Sequence, residues 1–228
     1  MSDAAITIYH GSSQSLPEPV YDHGKTTNDY GRGFYCTENL ELAKEWACAD
    51  GRDGVANKYT LNTEGLSILR LNSQDYHILN WLSILLDNRT FNISQGIASR
   101  AKQYLLATSL PDYRSYDIIV GYRADDSYFA YAGDFIDNTL SLETLSKAMR
   151  LGKLGEQVVL ISQKAFKALT FVEAIPASAE RYYAKYINRD RLARADYQVL
   201  RQTTNPEDGT YVMDIIRSKM QNDDPRLR

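Results

Sequence analysis

Three short segments carry the residues best suited to chemistry: Tyr9-His10-Gly11-Ser12, Tyr30-Gly31-Arg32-Gly33-Phe34-Tyr35 and Gly155-Glu156-Gln157-Val158-Val159. His10 can hydrogen-bond through either ring nitrogen. Tyr35 precedes Trp46 by eleven positions, and two aromatic faces so placed can hold a flat cationic ring by stacking and cation–π attraction. Glu156, opening an apolar strand, is the type of residue that stabilises positive charge developing as a leaving group departs. Each has a plainer account when taken alone. His10 is then a hydrogen-bonded histidine at a strand end, Tyr35 and Trp46 are core aromatics joining a strand to its helix, and Glu156 is a solvated edge residue. Together and in this order, the same residues make a candidate site.

The elements that must position these residues are short and alternate in type. Ile6 to His10 reads as a buried strand that gives way at Gly11-Ser12-Ser13 to a turn-rich loop running to Gly33. Phe34-Tyr35-Cys36-Thr37 is a second strand, and Thr37 is placed to cap a helix with Leu40, Ala43, Trp46 and Ala47 on one face. Lys58 to Leu61 and Leu66 to Leu71 read as a hairpin pair. Helical spacing follows over Asp75 to Asp87 and Ser94 to Thr108, an insert that could serve as a lid, an acceptor-binding face or core cover. Asp117 to Tyr122 is the most apolar strand of the middle region. A helical pattern from Ser127 to Met149, broken near Asn138, follows it. Gln157 to Ser162 is β-rich, Lys164 to Ala168 a helical turn, and Thr170 to Ile175 a last strand stopped by Pro176. Ser178 opens a long helix to about Gln202. A turn at Asn205-Pro206-Glu207-Asp208-Gly209, a short helix from Val212 to Met220 and a polar end expected to fray complete the chain. The expected class is α+β, with one domain over residues 1–176 and a helical C-terminal extension over 177–228 packed on or beside it.

In order and spacing the three segments resemble the histidine-tyrosine-glutamate class of ADP-ribosyltransferases, and in particular its bacterial branch of domains of unknown function. The class includes poly(ADP-ribose) polymerases and diphtheria-type toxins, and the resemblance covers most of Ile6 to Ile175. In that class a Gly-x-Gly-x-Tyr strand is followed, eleven positions after its tyrosine, by a second aromatic on the next helix, as Tyr35 and Trp46 are here. The resemblance implies a split β-sheet core with inserted helices, NAD as co-substrate and no metal. His10 would hydrogen-bond the adenosine ribose, the backbone of Gly11 would pair with the nicotinamide carboxamide, and Ser12 and Arg32 would stand close to the cofactor. Tyr35 and Trp46 would sandwich the nicotinamide. Glu156 would accept a hydrogen bond from the nicotinamide-ribose hydroxyl and face the oxocarbenium-like centre left as nicotinamide departs, so catalysis would rest on Glu156, His10 and Tyr35. Members often carry a serine one turn before the second aromatic, where this chain has Ala43. Position 154 is Leu, not the Glu or Gln of toxins that modify arginine or asparagine, so those two acceptors are not expected.

The implied activity is NAD-dependent mono-ADP-ribosyl transfer to a macromolecular acceptor, protein or nucleic acid, by a bacterial toxin, effector or defence enzyme with a neutralising antitoxin-like partner. Two other functions use the same residues. One is NAD hydrolysis with water as acceptor. The other is a binding module that keeps the fold without transfer, for which Trp46 and Ala43 are the supporting features.

Composition narrows the classes further. Among 228 residues, 43% hydrophobic and 24% charged, no run of about eighteen apolar residues could span a bilayer. Met1 to Ala5 lacks the positive start and apolar stretch of a secretory signal, so a cytoplasmic protein with no membrane partner is expected. Cys36 and Cys48, with His10, His23 and His77, form neither a zinc spacing nor a disulfide framework. A net charge of -3 argues against general charge-driven binding to nucleic acid. The run Arg181-Tyr182-Tyr183-Ala184-Lys185-Tyr186, continued by Arg189, Arg191 and Arg194, fits either a nucleic-acid or acidic partner, or an amphipathic helix packing Tyr183, Ile187 and Tyr197. Asp125-Asp126 suits a helix N-terminus, with lining of the site as the alternative.

Overall fold

The computed structural model describes residues 5–91, 93, 95–124, 126–150, 155–205 and 209–228, with the backbone alone for 126–128. Asp125, the side chain of Asp126, Leu154 and residues 206–208, singled out from the sequence, lie outside the described residues, as do residues 1–4.

The strands form two sheets. One has β1 (Ala5–Ser12), β3 (Gly54–Asn62) and β7 (Leu169–Ala177) in the order β1-β3-β7, all antiparallel. The other has β2 (Phe34–Cys36), β4 (Ile68–Arg70), β5 (Ile118–Tyr122) and β6 (Glu156–Leu160) in the order β2-β6-β5-β4, antiparallel except for β4 with β5. A lone bridge joins them at Tyr9 and Thr37, each N–H donating to the other's carbonyl at 2.8 and 3.0 Å. The class is therefore mixed α+β.

Ile8, Tyr59 and Leu61 of the first sheet meet Phe34, Cys36, Ile118, Val120, Val158 and Leu160 of the second in an apolar layer between the sheets. The other face of the second sheet, with Leu69, Ile119 and Val159, is covered by α2 (Ile78–Asn88), α3 (Ile97–Thr108), α4 (Asp126–Ile136) and α5 (Leu142–Ala148). Burial on both faces explains why β5 and β6 read as nearly unbroken apolar runs. Helix α2 is buried from Ile78 to Leu86, and its polar members bond inside it or to neighbours. Asn80 donates to the Ser109 carbonyl at 2.8 Å and Ser83 to the Leu79 carbonyl at 2.7 Å.

Several local expectations give way to tertiary context. The segments 58–61 and 66–71 do not pair as a hairpin: β3 lies in the first sheet, while β4 runs parallel to β5 in the second. Gly65 turns the chain at φ +69°, and Ser67 then bonds Asp117 at the start of β5 through its N–H at 2.8 Å. Strand β7 runs through Pro176 to Ala177, because it is an edge strand and its missing N–H interrupts no further ladder. The helix after β2, α1 (Leu40–Ala47), is capped by Asn39, which accepts from the N–H groups of Glu41 and Leu42, and not by Thr37, whose backbone is engaged with Tyr9.

Two helices follow β6 and β7: short α6 (Gln163–Lys167) between them, and long α7 (Ala179–Thr203) after β7. Helix α7 buries Tyr182, Ala193 and Tyr197, whereas Tyr183 and Ile187, expected inside, are 39% and 46% exposed. Lys185 and Arg189 of α7 face α1: Lys185 Nζ and Tyr182 Oη donate to Glu41 at 2.8 and 3.0 Å, and Arg189 bonds Glu45 twice. After α8 (Val212–Arg217), a 3₁₀ turn at Pro225–Leu227 seats Leu227 in the core at 3% exposure, and Arg228 donates to the Gln74 carbonyl. The expected frayed end is thus docked. Among the described residues no helix is long and apolar enough to cross a membrane.

Candidate functional site

Beyond the Tyr9–Thr37 bridge lies a cavity of about 580 Å³. Its wall takes His10 and Gly11 from β1, Phe34 and Tyr35 from β2, Trp46 from α1 and Gln157 from β6, with Asp29, Arg89, Arg123 and Ala124 on loops around them. Three segments distant in sequence therefore converge on one hollow.

The ring of His10 stacks on Phe34 with centroids 4.4 Å apart, and its Nδ1 lies 2.7 Å from the Tyr35 carbonyl. A carbonyl only accepts, so Nδ1 carries the proton and a neutral ring leaves Nε2 as an acceptor. Burial lowers the His10 pKa below its ordinary value, opposed in part by the bond to the Tyr35 carbonyl. The Tyr35 hydroxyl donates to the Gly31 carbonyl at 2.6 Å and accepts from the Tyr30 N–H at 3.0 Å. Gly31 sits at φ +76°, a conformation that suits glycine. Burial holds the Tyr35 pKa far above the phenol range, so its ring is a fixed, protonated wall.

Gly11 lies against α1. A Cβ there would fall 2.7 Å from the Ala47 nitrogen and nearer still to the Ala43 carbonyl oxygen. Tyr9 spends its N–H and C=O on Thr37, away from β3. A strand repeats every two residues, so Gly11 presents its own N–H and C=O to that same side, where the sheets part. Trp46, part-buried, carries Arg123 over its ring at 4.6 Å, and its Nε1 is buried with no hydrogen-bond partner among the described residues.

The other residues singled out from the sequence fall outside the wall. The Ser12 hydroxyl donates to the Gln14 carbonyl at 2.6 Å and accepts from Asn57 at 2.9 Å. Arg32 pairs with Asp22 at 2.8 Å on the surface. Glu156 is exposed, accepts from Asn72 and borders a separate groove with Thr37 to Leu42. Its neighbour Gln157, on the opposite face of β6, is 6% exposed, lines the cavity, and has an Oε1 with no partner among the described residues.

Sequence reasoning also passed over Asp29, 5% exposed, which accepts from the Ala124 N–H at 2.9 Å and pairs with Arg89 at 3.5 Å. An aspartate in a turn-rich loop carries no signal of burial. Two guanidinium groups and one carboxylate leave the wall with an excess of positive charge. No group of three or more His, Cys, Asp or Glu residues among the described residues could hold a metal ion.

A family model described as a protein of unknown function, DUF3990, matches residues 6–171, which includes every residue of the cavity wall named here. No curated protein and no solved structure matches the chain.

Proposed function

The chain belongs to the DUF3990 family, and for this member we propose an NAD-dependent mono-ADP-ribosyltransferase with an ADP-ribosyltransferase-like split sheet, taking NAD in the cavity lined by β1, β2, α1 and β6. The observation that carries the proposal is the meeting of His10, Gly11, Tyr35 and Trp46 in one wall. Tyr35 and Trp46 supply aromatic faces for the nicotinamide cation. His10 supplies a ring acceptor for a ribose hydroxyl, and Arg89 and Arg123 suit a diphosphate.

In the reaction the bond between nicotinamide nitrogen and ribose breaks, and its electron pair leaves with nicotinamide. The acceptor's nucleophile then bonds the ribose carbon and gives up its proton. Of the adjacent Glu156 and Gln157, it is Gln157 whose unpartnered oxygen belongs to the wall. It accepts from the nicotinamide-ribose hydroxyl and turns a dipole, not a full charge, toward the oxocarbenium-like centre. A second reading, a module that binds NAD without turning it over, is favoured by that neutral amide. The acceptor is a protein or nucleic acid, a cytoplasmic toxin, effector or defence role goes with a neutralising partner protein, and hydrolysis is transfer to water.

The test is incubation of purified protein with labelled NAD, with and without cell lysate, following free nicotinamide and label on protein and nucleic-acid fractions. Label on one fraction, lost in Gln157→Leu, supports transfer and gives the acceptor class. Loss in Glu156→Gln with Gln157→Leu unaffected would return the catalytic role to Glu156. Nicotinamide release without label means hydrolysis, and tight NAD binding with no release leaves the binding module.

A further inference from the structure

We infer that Asp29 is a positioning residue of the cavity: one carboxylate oxygen fixes the chain beside Arg123 and the other holds Arg89, so that both guanidinium groups face a diphosphate together. The inference rests on the part of the NAD reading that concerns the diphosphate, and it names what orients the cations.

Neither arginine is fixed by its own element. Arg89 directly follows α2 and Arg123 directly follows β5. A long side chain at the end of an element loses rotamer freedom when it grips a ligand, unless something holds it beforehand. Two guanidinium groups at one cavity also repel each other, which favours turning one of them out to water. Asp29 and its neighbour Tyr30 oppose both tendencies. The Tyr30 hydroxyl donates to the Tyr122 carbonyl at 2.6 Å, and Asp29 Oδ2 accepts from the Ala124 N–H at 2.9 Å. Adjacent residues of one loop thus hold the chain on either side of Arg123. Gly121 makes room for this, since a Cβ there would lie 3.1 Å from Tyr30 Cζ and closer still to its hydroxyl. With its neighbours held, Arg123 lays its guanidinium over the Trp46 ring at 4.6 Å. The other oxygen, Asp29 Oδ1, is 3.5 Å from Arg89 Nη1, and the Arg89 guanidinium also covers the Phe129 ring at 5.1 Å. The side chain of Asp29 is 6% exposed and that of Arg89 27%, so the carboxylate is the inner member of the pair. A guanidinium has five N–H donors, so Arg89 can face Asp29 and still donate to phosphate oxygens.

The test is calorimetric titration of ADP-ribose and NAD into wild type, Asp29→Asn, Arg89→Met and the double variant. Asp29→Asn keeps an oxygen for the Ala124 N–H but turns an amide NH2 toward Arg89. The expected result is about tenfold weaker ADP-ribose binding by Asp29→Asn, although the change removes a negative charge from the wall. In the Arg89→Met background the same change should cost nothing further, because the residue it acts through is gone. Unchanged or tighter binding by Asp29→Asn would make Asp29 a plain counter-charge and overturn the inference. An undiminished tenfold loss in the Arg89→Met background would assign the effect to the fold and overturn it too. Wild type that binds ADP-ribose but not NAD would remove the NAD assignment and leave the inference standing, whereas wild type that binds neither has no diphosphate to grip and sinks it.

Discussion

Arg189 of α7 grips Glu45 of α1 through two parallel hydrogen bonds, Nε to Oε2 and Nη2 to Oε1, each 2.8 Å long. Glu45 is 2% exposed and directly precedes Trp46, so the pair ties the C-terminal helix to the element that carries a wall of the cavity. Removing one partner strands a buried charge. Arg189→Met is expected to cost about 3 kcal/mol, which lowers the melting temperature by roughly 6 to 12 °C for a chain of this size. The double variant Glu45→Leu with Arg189→Met should recover most of that loss, because the stranded charge is gone. Equal melting of Arg189→Met and wild type would show the pair to be energetically idle.

Cys36 and Cys48 are both fully buried, and burial pushes both thiols above their ordinary range. Cys48 also donates to the Ala177 carbonyl at 3.4 Å. A thiolate is the reactive form, so the native protein should consume almost no thiol reagent over minutes at pH 8, and two equivalents once denatured. Fast labelling of either cysteine in the native state would contradict the packing.

How far this could be read from sequence depends on whether a residue's surroundings are local. Strands β1, β2, β5 and β6 announce themselves by apolar runs, and the Tyr35 and Trp46 spacing joins a strand to the next helix, which brings both residues to one cavity wall. Partner choice is not local. Lys58 to Leu61 and Leu66 to Leu71 look like a hairpin around Gly65, yet the bonds of Ser67 to Asp117 carry β4 into the other sheet. The same limit applies to Gln157. With β6 covered on both faces, alternation in Glu156-Gln157-Val158-Val159-Leu160 carries no marker of which of the first two residues lines the cavity. Tail residues such as Leu227 find their place in a core built by helices more than a hundred positions earlier.

His10 gives the stability a specific pH dependence. Above its ordinary value near 6.5 the ring is neutral in both folded and unfolded chains and contributes no slope. As pH falls below that value the unfolded chain takes the proton first, because burial lowers the folded ring's pKa. Stability contributed by the neutral ring is therefore lost downward from about pH 6.5, until the folded ring protonates as well. His77, lowered by burial too, adds loss over the same range. Urea unfolding at pH 7.5 and 5.5 should show a larger drop for wild type than for His10→Gln, which keeps His77. Identical drops would mean that His10 titrates as it does in water.

Gly11 and Gly133 offer a paired test of whether contact between β1 and α1 shapes the cavity. A Cβ on Gly11 would lie 2.7 Å from the Ala47 nitrogen and closer to the Ala43 carbonyl, both backbone atoms that cannot swing aside. The strand must then move off the helix, which separates the Gly11 peptide from Trp46. Gly11→Ala is expected to destabilise by about 2 kcal/mol through overpacking, and to weaken any ligand of the cavity by more than its loss of stability alone would suggest. A Cβ on Gly133, inside α4, meets nothing within 4 Å, so Gly133→Ala should stabilise by roughly 0.5 to 1 kcal/mol through helix propensity. Thermal melts read the stability of both, and titration with NAD reads the cavity. Should Gly11→Ala melt and bind as wild type does, the strand has room to yield, and the close seat of β1 on α1 would lose its part in positioning Trp46.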